Sequence, residues 1–254
     1  MHFPAFDSSP ANLGNCSSRQ VEDHLKRDTR LLVPLGALEA YGRDTPLAAA
    51  TVVCEALTVE VSKASGALFA PAFAYGCSLP FSAFAGTGGV RLRVLLNALT
   101  DLIREWVRQG FRRLLVVDVT WGNREALDEA LDRVKGERGA VVAAYRWEDD
   151  SAVRECVQRL FGRVEQGRWD MPLLCMASHL LGTQVRLEAL GAGKRPDDQT
   201  TRNWIRRGRD PERFRKLFPS ALLWPVTQGV NPQHGAESFG LAAKGAREAL
   251  ARLG

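Results

Sequence analysis

Three acidic residues stand where strand-like runs end. Glu39 and Asp44 follow Leu31-Leu32-Val33-Pro34-Leu35 and its closing Gly36, and Asp118 closes Leu114-Leu115-Val116-Val117. A carboxylate so placed can be a metal ligand or a catalytic base, because such positions have readily perturbed pKa values. It can equally cap backbone amides or form an ion pair. Glu39, Asp44 and Asp118 together could build an all-oxygen cation site of the kind magnesium favours. His179 follows a later apolar run and offers either an imidazole to the same region or a solvent-facing or hydrogen-bonded side chain. Gly86-Thr87-Gly88-Gly89 lacks both the lysine of a P-loop and the spacing of a dinucleotide fingerprint, so it reads as a turn. The five cysteines (Cys16, Cys54, Cys77, Cys156, Cys175) are widely spaced and contain no C-x-x-C pair. Neither a disulfide framework nor a zinc finger is expected from them, only free or buried thiols.

These residues need a scaffold that brings strand ends together. Leu31–Leu35, a helix-length segment over Thr51–Ala64 and Leu68–Ala74 read as strand, helix, strand. Leu92 to Gln109 places Leu92, Leu95, Leu96, Leu99, Leu102, Ile103 and Trp106 at helical spacing, and Gly110 stands where a helix-terminating glycine belongs. Arg112–Asp118 follows as a strand apolar on both faces, then a helix from Asn123 through Val134, then a strand over Ala140–Tyr145. Beyond Trp147, the pattern predicts a helix over Glu148–Gly167, a strand over Leu173–Ala177 and a helix over Leu180–Leu190. A loop over Gly191–Gln199 and a final helix over Leu241–Leu253 complete it. Strands alternating with helices predict a three-layer α/β/α sandwich with a mostly parallel sheet. In such sheets, ligands gather at the carboxyl ends of the strands, where Glu39, Asp44 and Asp118 lie. No linker or internal repeat divides the chain, so residues 1–254 read as one domain, with residues 1–29 as an N-terminal extension.

At 254 residues, with 45% hydrophobic and 25% charged side chains, the chain has the balance of an ordinary globular protein. Its apolar runs are too short to span a membrane, and the N-terminal residues show no secretory signal. A cytoplasmic protein is expected. The net charge is +5, and Arg202–Lys216 alone holds seven basic residues against two acidic ones, so the excess belongs to one segment. With Trp204 and Phe214 inside it, that segment has the ingredients of a nucleic-acid surface. A solvated helix with snorkelling arginines is the expected outcome, and no nucleic-acid partner is expected.

The loops resemble the creatininase family, also called creatinine amidohydrolases. Pro34-Leu35-Gly36-Ala37-Leu38-Glu39-Ala40-Tyr41-Gly42 is similar to the family's P-L-G-S-L-E-Q-H-G, and Pro46-Leu47 and a helix follow as they do there. Tyr75-Gly76-Cys77-Ser78 through Phe84-Ala85-Gly86-Thr87 is similar to Y-G-Y-S-P-E-H-L-G-F-P-G-T, and Asp118-Val119-Thr120-Trp121-Gly122-Asn123 to N-G-H-G-G-N. Gly229-Val230 and Ala242-Ala243-Lys244-Gly245 look like the family's closing segment. Residues 30–147 match best.

The resemblance implies a creatininase-like fold, a homo-oligomer that could reach a hexamer assembled from dimers, and a pocket built from Glu39, Tyr41, Asp44, Ala50, Phe81, Thr120, Trp121, Gly122 and Asn123. Family members hold two divalent metals that activate water against a cyclic or formyl amide, a chemistry that needs converging imidazoles and carboxylates. Carried over position by position, Glu39 is the one retained ligand. Tyr41 and Thr120 stand in place of histidines, Ala50 in place of the bridging aspartate, and Gly122 where some members carry a glutamate. A further pocket histidine falls at Phe81, and a later segment, H-A-G-E-x-E-T-S, matched to Ser178–Gln184, places its last carboxylate at Gly182. The expectation is therefore a family homologue with an eroded metal site that binds a small ligand or serves in assembly, with no cofactor. The alternative is an active hydrolase of cyclic or linear amide C–N bonds with a rebuilt site for Zn, Mn, Fe or Mg.

Overall fold

The computed structural model describes residues 9–42, 44–162, 169–182, 210–222 and 229–254. Its apolar runs pair as parallel strands: β1 (Arg30–Leu35), β2 (Leu68–Phe69), β3 (Arg113–Asp118) and β4 (Val141–Arg146), in the order β2-β1-β3-β4. Leu32 lies opposite Leu115, which lies opposite Ala143, so the ends of β1, β3 and β4 come level at Leu35, Asp118 and Arg146. The expected strand over Leu68–Ala74 is cut to two residues. Pro71 has no N–H to give to a ladder, and the chain rejoins β1 only at Phe73, whose N–H donates to Pro34 O at 2.9 Å.

The helices are α1 (Ser18–Leu25), α2 (Ala49–Ser65), α3 (Leu92–Gln109), α4 (Arg124–Val134), α5 (Ser151–Phe161), α6 (Asp170–Leu181), α7 (Pro211–Leu217) and α8 (Pro232–Ala251). Local chemistry sets several of their ends. Ser17 and Gln20 form a capping box before α1, and Gly66 at φ 77° closes α2. Asp150 caps α5 by accepting from the N–H groups of Ala152 and Val153 at 3.0 and 3.3 Å. The strands bury opposite faces in two cores. Leu32, Leu115 and Val117 face α2, α5, α6 and α8, whereas Leu31, Val33, Leu35, Leu114 and Val116 face α3 and α4. The N-terminal extension joins the second core through Leu13, Val21 and Leu25. The three-layer α/β/α arrangement with a parallel sheet is therefore the fold of the described residues.

One element is of the wrong type in the sequence reading. Leu173–Ala177 is no strand but the middle of α6, and every residue from Asp170 to Ser178 is buried. A helix enclosed on all sides shows no polar stripe, and five apolar residues carry no period that separates it from a buried strand. Of the expected helix over Leu180–Leu190, the first two residues end α6 and residues 183–190 lie outside the described residues, as does the loop Gly191–Gln199. The helix expected over Glu148–Gly167 begins at Ser151, and the last helix begins at Pro232, well before Leu241.

At Gly235, α8 crosses the backbone of α6 at close range. A Cβ added at Gly235 would lie 2.0 Å from the Cys175 carbonyl oxygen, with backbone on both sides and no side chain to swing aside. Gly235→Ala is therefore expected to destabilise the protein by about 2 kcal/mol, as overpacking does. A lowered urea midpoint with an unchanged denaturant slope would report it.

Candidate functional site

The loops that leave β1, β3 and β4 meet the start of α6 above the carboxyl edge of the sheet. The first loop is pinned by Glu39 N–H donating to Leu47 O at 3.0 Å and by Gly88 N–H donating to Leu38 O at 2.9 Å. The glycine-rich stretch Gly86–Gly89 is thus a loop paired to the β1 loop. Thr51 Oγ1 donates to Ala37 O at 2.9 Å and draws α2 against the same turn. This packing buries Glu39 and Tyr41, which are 3% and 6% exposed.

The Tyr41 hydroxyl donates to Glu39 Oε1 at 2.5 Å. Ser78 Oγ is fully buried and lacks a well-formed hydrogen bond, yet it lies close enough to the Glu39 carboxyl to favour its charged form. Burial outweighs both hydroxyls and pushes the Glu39 pKa up to about 7, with Asp170 adding to the rise. The Tyr41 phenol is driven well above its ordinary value, by burial first and then by Glu39. Phe81 packs beside Tyr41, with ring centroids 6.5 Å apart, and is itself covered by Phe214 of α7 at 4.9 Å.

Across the site, Asp118 Oδ1 accepts from Thr120 N–H at 3.0 Å and from Asn123 Nδ2 at 3.3 Å. Burial pushes its pKa up to about 6 against those bonds and against the pull of Arg146 and Arg124. Sequence reasoning missed Glu148, which follows β4 and is pushed up to about 8 by burial, with Arg124 opposing and Asp118, Asp149 and Asp170 adding. It also missed Asp170 at the start of α6, which is 7% exposed. Neither residue belongs to a short motif; the signal that could have found them is a carboxylate at a strand end and at a helix start. Trp147 and Trp169 meet edge to face at 5.0 Å beneath these groups, and Trp147 Nε1 donates to Val119 O at 3.3 Å.

Other expected members fall elsewhere. Asp44 is exposed. His179 is exposed on the last turn of α6, about 14 Å along the helix from Asp170 by helical rise; it lies beside Phe239 and does not reach the site. Gly182, given a ligand position by the late-segment match, ends α6 with φ 62° at that same distal end. Asp170, at the start of the same helix, is the residue of α6 whose charge acts on Glu39 and Glu148. Ala50 is fully buried on α2, Thr120 is 3% exposed, Trp121 and Gly122 are partly buried, and Asn123 is fully buried. Among the described residues, no three His, Cys, Asp or Glu side chains are grouped to hold a metal ion. The magnesium-like set of Glu39, Asp44 and Asp118 is therefore not formed. The arrangement can hold protons and hydrogen-bond a polar organic group.

Glu39, Asp118 and Glu148 all carry raised pKa values. Each such group contributes stability that is fully present below its unfolded pKa and is lost as pH rises through the folded one. The melting temperature is expected to fall by several degrees between about pH 4 and pH 8. Glu148→Gln, which cannot ionise, should flatten the upper part of that decline in a thermal-melt series. A melting temperature that rises steadily to pH 8 would contradict the burial of these carboxyls.

A family model described as creatininase, creatinine amidohydrolase, matches residues 14–250. The creatinine amidohydrolase of Pseudomonas putida is 29% identical over 110 residues, which is 41% of this chain and 42% of that protein. The mycofactocin precursor peptide peptidase of Mycobacterium tuberculosis strain H37Rv is 31% identical over 138 residues, 49% of this chain and 52% of that one. The chain thus spans about half the length of the curated relatives it matches, or less. A solved creatininase described as its Mn form superposes with a TM-score of 0.75 at 21% identity, covering 95% of this chain and 97% of that one. Likeness at that identity speaks for the fold, and the family model covers nearly the whole sequence: the chain belongs to the creatininase family.

Proposed function

We propose that this creatininase-family protein binds a small organic ligand above the sheet and does not carry out metal-dependent amide hydrolysis. The observation that carries the reading is the Tyr41–Glu39 hydrogen bond at 2.5 Å. At the position where the resemblance puts an imidazole ligand, a phenol uses its proton to occupy the retained carboxyl. A carboxyl with a pKa of about 7 holds a proton much of the time near neutrality, whereas a metal ligand must give it up. Ala50 brings a methyl group where the resemblance puts a bridging carboxylate, and Thr120 a hydroxyl where it puts an imidazole. This donor set does not suit two dications, which need charged or imidazole ligands in numbers.

Two further parts belong to the proposal. No nucleic acid is assigned to the basic segment: residues 202–209, with Trp204, lie outside the described residues, and Phe214 is 2% exposed and packed against Phe81 and Phe218, which does not favour stacking on a base. Residence in the cytoplasm fits the five free cysteines, four of them buried. Among the described residues, no helix is long and apolar enough to cross a membrane.

Elemental analysis of the purified protein is expected to give less than about one Zn, Mn or Fe per chain, because too few ligands remain for the usual coordination number. Assays on creatinine and simple formamides with added Mn or Zn should show no turnover. Combining Tyr41→His, Ala50→Asp and Thr120→His should raise metal affinity well above that of the parent. Two tightly held metals in the parent, or metal-dependent turnover abolished by Glu39→Gln, would replace this reading with that of an active amidohydrolase with a rebuilt site.

A homo-oligomer is also proposed. Val141 on β4, a strand with no outer neighbour among the described residues, is 48% exposed, and Val94 on α3 is 45% exposed. Light scattering at micromolar concentration should give a multiple of 27.9 kDa; a mass of one chain would count against it.

A further inference from the structure

Two of the four large hydrophobic side chains that stand open to solvent among the described residues, Val94 at 45% and Leu102 at 36%, lie on one face of α3. They are about 12 Å apart along the helix by its rise per residue, and the partly buried Ala98 falls midway between them. Residues four apart line up as a ridge on a helix surface. Val94, Ala98 and Leu102 therefore form one apolar ridge, on the side of α3 turned away from its buried Leu99, Ile103 and Val107. Exposed apolar residues scattered singly need no explanation, whereas three on one ridge make a patch. With only a methyl group at its centre, the ridge lets another helix come close.

Charges of opposite sign stand at the two ends of this patch. Arg91 opens α3 and Glu105 lies in its last turns, and both are exposed. Each is seven residues from Ala98, close to two full turns, so residues 91, 98 and 105 fall nearly on one line along the helix. No described residue forms an ion pair with Arg91. Glu105 pairs with Arg108 of its own helix at 2.7 Å, where both side chains are more than half exposed and so weakly bound. Farther round, toward α4, Arg104 is engaged with Glu137 at 2.8 Å, which gives the patch a charged rim.

This pattern is complementary to itself. A two-fold contact sets the same surface of two copies together. With the helices antiparallel about Ala98, each Arg91 comes level with Glu105 of the other copy, and the Val94 end of each ridge meets the Leu102 end of the other. With the helices parallel, Arg91 would meet Arg91 and Glu105 would meet Glu105, which like-charge repulsion disfavours.

We propose that this face of α3 is an interface with a second copy of the chain, the two helices antiparallel and Ala98 at the two-fold axis. The proposal rests on the homo-oligomer put forward above and names its surface.

The test is cysteine cross-linking of the full chain. In Ala98→Cys the two new thiols meet across the axis, and mild oxidation is expected to give a two-chain species that a reductant separates. The parent, with its five native cysteines, and Glu129→Cys, at an exposed position on α4, should stay as single chains under the same treatment. Leu102→Asp should halve the mass read by light scattering. Arg91→Glu, which sets two carboxylates level, should weaken association about tenfold, and adding Glu105→Arg should restore it. If Leu102→Asp fails to fold, the cross-link decides. A parent with the mass of one chain overturns the homo-oligomer and this interface together. A parent of several chains that does not cross-link through Ala98→Cys, or that keeps its mass in a folded Leu102→Asp, overturns the interface alone.

Discussion

The side-chain amide of Asn123 ties together the three loops on which the site depends. Its Nδ2 donates to Gly36 O at 3.1 Å and to Asp118 Oδ1 at 3.3 Å, and its Oδ1 accepts from Cys77 N–H at 3.0 Å. The turn after β1, the Ser78 loop and the end of β3 are thereby fixed to one planar group that is wholly buried. The fit leaves no slack: a Cβ at Gly76 would lie 2.5 Å from Asn123 Oδ1 and 2.9 Å from Gly36 O. Buried and fully paired, such an amide specifies one arrangement of the loops, because any other would leave its polar atoms unmatched.

Around that lock, the protein gathers four buried carboxyls, Glu39, Asp118, Glu148 and Asp170. Burial is the first-named cause of the raised pKa at Glu39, Asp118 and Glu148. These groups do not converge on one point. Glu39 turns to a phenol and a serine hydroxyl, while Asp118 and Glu148 sit with the guanidiniums of Arg124 and Arg146 beyond the ends of β3 and β4. The fold is that of the family, and its polar interior here holds these carboxyls in hydrogen bonds and ion pairs.

The fold was largely legible because its strands and its clearest helix obey simple periods. Leu92–Gln109 and its closing Gly110 are where the pattern places them, and the apolar run ending at Asp118 is the central β3. Failure came where burial erased the period, in α6, and where a proline interrupted pairing, after β2. In the site, Glu39, Tyr41 and Asn123 were readable because they lie in short motifs whose loops the fold must preserve. Glu148, Asp170, Arg124 and Arg146 were not, since each is brought in by the level alignment of strand ends or by the direction in which α6 enters. His179 failed for the same reason: the strand it was expected to end is a helix, which carries it away from the site.

The Trp147–Trp169 pair joins the end of β4 to the start of α6, with rings 75° apart and centroids at 5.0 Å. Two indoles so close and so fixed share their electronic excitation, and the sign of the resulting circular-dichroism couplet depends on their mutual orientation. The chain thus contains an intrinsic optical gauge of whether α6 is seated on the sheet, independent of any ligand and separable from overall helix content.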